Sequence, residues 1–197
     1  MNMGISKGNM KNNKLPCKNL LLGITGSIGA VNMPAYVQYL KNKFAENIFI
    51  MISNAAKNFV NSYSLEFISG HKIFENTFTP IDEFKVPHIQ LPKLADLFLI
   101  MPATANIISK AANGIADDLI TTAIVASSCP LVFVPSMNSI MWFNKIIQNN
   151  VRKLQECGYY VIEPSEGIEV SDSSRGFGAM PPLNLILENL VNIIKQK

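Results

Sequence analysis

The chain has 197 residues, 48% hydrophobic and 16% charged, with a formal charge of 17 − 14 = +3. A single domain of this size buries roughly 70% of its unfolded surface, so neither disulfides nor a metal are required to hold the core. The small basic excess falls partly on Lys7, Lys11, Lys14 and Lys18, which leaves no nucleic-acid footprint in the remainder.

Residues 1–18 are polar, basic and rich in Asn and Gly, and read as a flexible arm. A single domain over 19–197 follows, opening with the buried strand "NLLLGIT", Asn19–Thr25. A helix over Ser27–Phe44, a strand over Asn47–Ser53 and a helix over Asn54–Asn61 come next. Leu94–Thr104 is a continuous apolar strand ended by Pro102, Ala105–Ser127 one long helix, and Cys129–Met137 another strand. Asn144–Gly158 is a helix with Gly158 at C′, Tyr159–Pro164 a strand, and Pro182–Lys197 the closing helix. Unbroken apolar strands alternating with helices specify an α/β fold with a central parallel sheet covered on both faces.

Cys17, Cys129 and Cys157 are odd in number and scattered, which argues against a metal site or a disulfide framework and for a reducing cytoplasm. A basic start, an apolar run and small residues near the amino terminus imitate a signal peptide. The apolar run comes late, however, and its glycines suit a strand-to-helix turn. No run reaches the roughly 18 apolar residues of a spanning helix, so no membrane association is expected. The low charged fraction predicts an apolar surface that meets another subunit.

Ligands of such sheets sit beyond the carboxyl ends of the strands, where four loops carry unusual residues. In "GITGSIGA", Gly23, Gly26 and Gly29 recur at three-residue spacing, Ser27 can cap the next helix, and backbone N–H groups could hold one phosphate. The loop lacks the dinucleotide fingerprint and the P-loop lysine, so a mononucleotide such as FMN suits it better than NAD or ATP; a plain tight turn is the alternative. Ser53 is a helix cap or a second phosphate donor. Thr104 and Asn106 offer short polar side chains to a ligand. Asp117 and Asp118 are acid/base candidates, although consecutive carboxylates cannot share one helix face. The last loop, "PSMNSIMW", puts Asn138 after an apolar strand, where its amide can orient a carboxylate or peptide group. The alternative is a turn asparagine, with Met137, Met141 and Trp142 filling the core.

"PATANIISKAANGIADDLITT" followed by "PSMNSIMW" strongly resembles the homo-oligomeric flavin-containing cysteine decarboxylases, whose hallmark is P-x-M-N-x-x-M-W. The resemblance runs from about Asn19 to Pro182 and is nearest to the lantibiotic peptidyl-cysteine decarboxylases. It implies a flavodoxin-like (Rossmann-like) three-layer sandwich that binds FMN. The phosphate would lie near Thr25–Gly29, with Gly26, Ser27 and Ile28 in contact. Further cofactor contacts would come from Ser53, Ala103, Thr104 and Asn106. The resemblance also implies that His88 is the catalytic histidine and that Asn138 binds the substrate carboxylate, beside Met137 and Met141. The substrate would be a precursor peptide ending in cysteine, the assembly a trimer or dodecamer with the flavin at a subunit boundary.

Decarboxylating a simple cysteine needs an electron sink. Oxidation of the thiol carbon by a flavin creates one, because the new C=S lies β to the carboxylate. An imidazole is the natural base for the thiol proton. The phosphopantothenoylcysteine decarboxylases of coenzyme A synthesis, the alternative branch, use a cysteine in an A-C-G-D-x-G-x-G-x-M segment to protonate the enethiolate. Here the segment reads "SDSSRGFGAM", with Asp172 in that place. This points to an enzyme that stops at the enethiol. In the peptide branch the same segment is a mobile clamp, here Ser171–Met180, with Gly176 and Gly178 as hinges and Arg175 as a peptide or carboxylate contact. A regulatory flavin-binding subunit, a flavin prenyltransferase and an electron-transfer flavodoxin are less well matched. The first would not need His88 and Asn138, the second lacks P-x-M-N-x-x-M-W, and the third has no use for a carboxylate-binding asparagine.

Overall fold

Residues 15–196 are described by a computed structural model, and most of the proposed arm lies outside them. In chain order the elements are β1 (Cys17–Ile24), α1 (Met33–Lys43), β2 (Ala45–Ile52), α2 (Ser62–Ser69), α3 (Pro87–Leu94) and β3 (Leu97–Ala103). There follow α4 (Ala105–Ala112), α5 (Leu119–Val125), β4 (Leu131–Pro135), α6 (Ser139–Trp142), α7 (Lys145–Glu156) and β5 (Tyr160–Val161). β6 (Ser165–Ile168), β7 (Arg175–Ala179) and α8 (Leu183–Lys195) complete the chain. The first strand starts at Cys17, two residues before the expected Asn19, because the buried Cys17 side chain already belongs to the core.

Five parallel strands form one sheet in the order β2-β1-β3-β4-β5, the flavodoxin-like arrangement expected. Alternate residues of the apolar strands feed two cores. Leu20, Leu22, Ile48, Ile50, Leu99 and Val132 pack with Val37 and Leu40 of α1 and Ile186 and Leu190 of α8. Leu21, Phe49, Phe98, Ile100 and Phe133 pack on the other face with Leu91 of α3, Ile108 of α4, Ile124 of α5 and Leu154 of α7. With both faces covered, no strand needs a polar side, which is why the strands read as continuous apolar runs.

Several expected helices are divided. Residues Ile28–Asn32 form a 3-10 turn and the α-helix starts at Met33, with Pro34 in its first turn, where a missing N–H costs nothing. The long helix over 105–127 breaks after Ala112, since Gly114 adopts φ +65° and Asp118 caps a second helix. Over 54–61 only a 3-10 turn, Ala56–Asn58, forms, and Asn61 caps α2 instead of ending a helix. The strand expected over 94–104 spans only Leu97–Ala103, because Leu94 closes α3. Pro102 lies inside that strand, where the β3–β4 register shifts between Ile100 and Ala103 and so spares a ladder bond. Gly158 sits past α7 with φ +84°, as its place at C′ predicted.

Candidate active site

β1 leads leftwards to β2 while β3 leads rightwards to β4, so the sheet opens a crevice between the carboxyl ends of β1 and β3. Thr25 bridges it. Its buried hydroxyl donates to the Pro102 carbonyl at 2.7 Å and accepts the Thr104 N–H at 3.1 Å. The Ser27 hydroxyl meets that of Ser136 at 2.6 Å, tying the loops after β1 and β4. Ser53 donates its N–H to the Ile24 carbonyl at 3.0 Å, and its hydroxyl accepts the Ala56 N–H at 3.2 Å just ahead of the 3-10 turn whose N-cap is Ala55. Gly26 is required here because a Cβ would overlap Ala55 of the neighbouring loop.

These loops enclose a cavity of about 820 Å³, within the size range of cofactor sites. The hydroxyls of Thr25, Ser27, Ser53, Thr104 and Ser136 and the amides of Asn106 and Asn138 face a wall that includes Ile28, Leu119 and Ile120. Among the described lining residues there is no Lys, Arg or His, and Glu75, Asp118 and Glu169 are acidic. Glu75 bonds Lys57 at 2.6 Å and Ser62 at 2.6 Å, and the Lys57 ammonium holds its carboxyl below the usual range. Of the two acid/base candidates, Asp117 pairs with Lys110 at 2.8 Å on the surface. Asp118 caps α5, accepting the Thr121 N–H at 2.8 Å.

The mouth is covered by the antiparallel β6–β7 hairpin. Met137 N–H donates to the Gly178 carbonyl at 3.0 Å, and Phe177 stacks on Phe143 with ring centroids 5.9 Å apart. Asn138 caps α6, its Oδ1 accepting the Ile140 N–H at 2.8 Å. That bond fixes the amide orientation, so Nδ2 points away as a donor. It donates to Glu169 Oε2, and Ser139 N–H donates to Glu169 Oε1 at 3.1 Å. Asn138 is therefore both a turn asparagine and a carboxylate donor.

Gly26, Ser27, Ile28, Ser53, Thr104, Asn106, Met137, Asn138 and Met141 are brought together around the cavity. Three candidates are not. Ala103 is fully buried at the end of β3, where it contributes only its carbonyl, accepting the Ser136 N–H at 2.9 Å. Arg175 is exposed at the start of β7, paired with Ile168. His88 lies in the first turn of α3, half-buried and off the cavity lining, with its Nδ1 buried and unpaired among the described residues. Gly176 and Gly178, the expected hinges, lie within β7, where a Cβ on the first would overlap the Glu169 carboxylate and on the second the Met137 carbonyl. Trp142 is core filling. Sequence reasoning missed Ser136, which was detectable as the first polar residue after an apolar strand, and Glu169, for which nothing local gave a signal.

Among the described residues no helix is long and apolar enough to cross a membrane, and no group of three or more His, Cys, Asp or Glu could hold a metal ion. Residues 9–195 match the family described as Flavoprotein. The chain belongs to that family. Within it, this flavoprotein chain is 39% identical over 180 residues to the coenzyme A biosynthesis bifunctional protein CoaBC of Borreliella burgdorferi, covering 91% of itself and 45% of that protein. It thus spans less than half of the CoaBC relative. It is 33% identical to the "Probable phosphopantothenoylcysteine decarboxylase" of Streptococcus mutans, with 88% and 97% of the two chains covered. It is 32% identical to the mersacidin decarboxylase of a Bacillus species, with 80% of each covered. The crystal structure of the FMN-dependent cysteine decarboxylase SpaF superposes with TM-score 0.78 at 31% identity, over 91% of this chain and 96% of that one. The peptidyl-cysteine decarboxylase EpiD gives TM-score 0.75 at 29% identity, over 90% and 98%.

Proposed function

We propose that this flavoprotein uses FMN to decarboxylate oxidatively the C-terminal cysteine of a precursor peptide, giving an aminoenethiol during maturation of a lantibiotic-type peptide. The observation that carries this reading is the state of Asn138. With Oδ1 committed to Ile140 N–H, Nδ2 and the adjacent Ser139 N–H already hold a carboxylate inside the cavity, that of Glu169. The donor set fits FMN: neutral hydroxyls of Ser27, Ser53 and Ser136 for a phosphate, Thr104 and Asn106 for the polar chain, and Ile28, Leu119 and Ile120 for the ring. When bound, FMN supplies a two-electron acceptor for the hydride of the cysteine methylene.

The chain's own residues orient and shelter the substrate. Asn138 grips the departing carboxylate, Met137 and Met141 shape the wall beside it, and the β6–β7 hairpin excludes water. His88 takes the thiol proton. Because His88 does not line the cavity of its own chain, the proposal has it act in the cavity of a neighbouring copy within a trimer or dodecamer. Exposed apolar side chains support self-association, Phe67 at 80%, Phe78 at 89% and Ile140 at 81% exposure. The peptide substrate is supported by the absence of cysteine from the hairpin, where Asp172 stands exposed at the tip. A second reading, phosphopantothenoylcysteine as substrate, is favoured by the 39% and 33% identical coenzyme A relatives.

Mass spectrometry of cysteine-terminated peptides incubated with the flavin-loaded protein separates the two. A loss of about 46 Da from the peptide, CO₂ plus two hydrogens, is the expected result. A loss of about 44 Da from phosphopantothenoylcysteine, with peptides untouched, would transfer the enzyme to the second reading. Co-assembling inactive His88→Asn and Asn138→Ala chains should restore part of the activity if each site draws on two copies.

A further inference from the structure

Glu169 sits where β6 passes into the hairpin turn, its backbone N–H donating to the Ser174 carbonyl at 2.8 Å. Both of its carboxylate oxygens are taken by amide donors, Asn138 Nδ2 and Ser139 N–H, and it takes part in no ion pair among the described residues. The space for this carboxylate is provided by Gly176 on the facing strand, where any Cβ would overlap it. The hairpin therefore delivers an anionic group to the donors that the proposed function assigns to the substrate's cysteine carboxylate. Two carboxylates cannot share one pair of donors, since like charges at hydrogen-bonding distance disfavour each other strongly.

We propose that Glu169 is a specificity-determining internal carboxylate, which occupies the substrate-carboxylate subsite of the free enzyme and must be displaced on binding. The inference rests on the reading of Asn138 as the carboxylate grip, and it holds for either cysteine substrate, because both carry that group. Glu169 belongs to the turn of the hairpin, so occupation of the subsite is felt by the segment that lines the cavity beside the substrate. A ligand that ends in an amide offers these part-buried donors one neutral carbonyl oxygen in place of a charged carboxylate, so it exchanges poorly with Glu169 and binds with the subsite still held by that side chain. The acid ligand exchanges one carboxylate for another, and its apparent affinity is lowered by the fraction of enzyme in which Glu169 is seated.

The test titrates flavin-loaded wild type, Glu169→Ala and Glu169→Gln with an unreactive peptide ending in serine, as free acid and as C-terminal amide, and with a serine analogue of phosphopantothenoylcysteine. Flavin fluorescence or calorimetry reads the affinity. Glu169→Ala should bind the free acids about tenfold more tightly, and Glu169→Gln a few-fold, while amide affinity changes little. If Glu169 is merely a structural tie between hairpin and α6, both variants bind acid more weakly or equally, and the inference is overturned. Should Glu169→Ala fail to fold, Glu169→Gln decides by the same criterion. Asn138→Ala separates the two layers of argument. If it abolishes the preference for acid over amide and the Glu169 variants change nothing, only the inference fails. If wild type and Asn138→Ala bind acid and amide alike, or no form binds any probe, the reading of Asn138 fails with it.

Discussion

Replacing Thr25 by valine keeps the shape of the side chain and removes one hydroxyl. That hydroxyl donates to the Pro102 carbonyl at 2.7 Å and accepts the Thr104 N–H at 3.1 Å, at a position only 4% exposed. Without it the Pro102 carbonyl and the Thr104 N–H, both at the end of β3, lose their partner on β1's loop. An unsatisfied buried group costs about 1–3 kcal/mol, and the Pro102 carbonyl retains only the long 3.4 Å bond from Thr25 N–H. A loss of about 3 kcal/mol is expected, which for a chain of this size lowers Tm by roughly 6–12 °C. Thr25→Ser is the control, since it keeps both bonds and removes one methyl, for about 1 kcal/mol. Melting followed by far-UV circular dichroism, at one protein concentration and with flavin saturating, reads both. The reasoning is refuted if valine costs no more than serine, because the crevice would then be held by packing and not by the Thr25 bridge.

Burial pushes the Cys17 thiol from 9.0 up to about 12. The fold thus favours the neutral thiol, and its contribution to stability is complete below 9.0 and is lost as pH rises from there towards about 12. Urea midpoints across that window should fall faster for the wild type than for Cys17→Ala; equal slopes would remove Cys17 as the cause. Gly178→Ala should push the hairpin off the Met137 carbonyl, opening 165–180 to limited proteolysis while the sheet melts nearly as before. Unchanged proteolysis would mean that the backbone adapts to the extra Cβ.

The alternation of apolar strands and helices was readable because a doubly covered parallel sheet imposes its demand on each segment locally. The runs after Asn19, Asn47 and Cys129 all became strands of that sheet. The helix break at Gly114 was also written locally, in the Asn113-Gly114 pair, and was overridden by the apolar pattern on both sides. Helix α3 was hidden by Pro87 and Pro92. Pro87 is harmless at the start, and packing of Leu91 into the core offsets the bond that Pro92 cannot make to the His88 carbonyl.

The candidate site divides in the same way. By itself the sequence determined the residue types that gather at the strand ends, Ser27, Ser53, Thr104 and Asn138, because a parallel sheet sends every β-to-α loop to the same edge. Only the tertiary structure decided which of them touch. The contacts of Thr25 with Pro102, of Ser27 with Ser136 and of Glu169 with Asn138 join residues 77, 109 and 31 positions apart. It also placed His88 away from the cavity of its own chain and Arg175 out on the surface. Contacts at such separations depend on strand order and on the docking of the hairpin, and neither leaves a periodic trace in the chain.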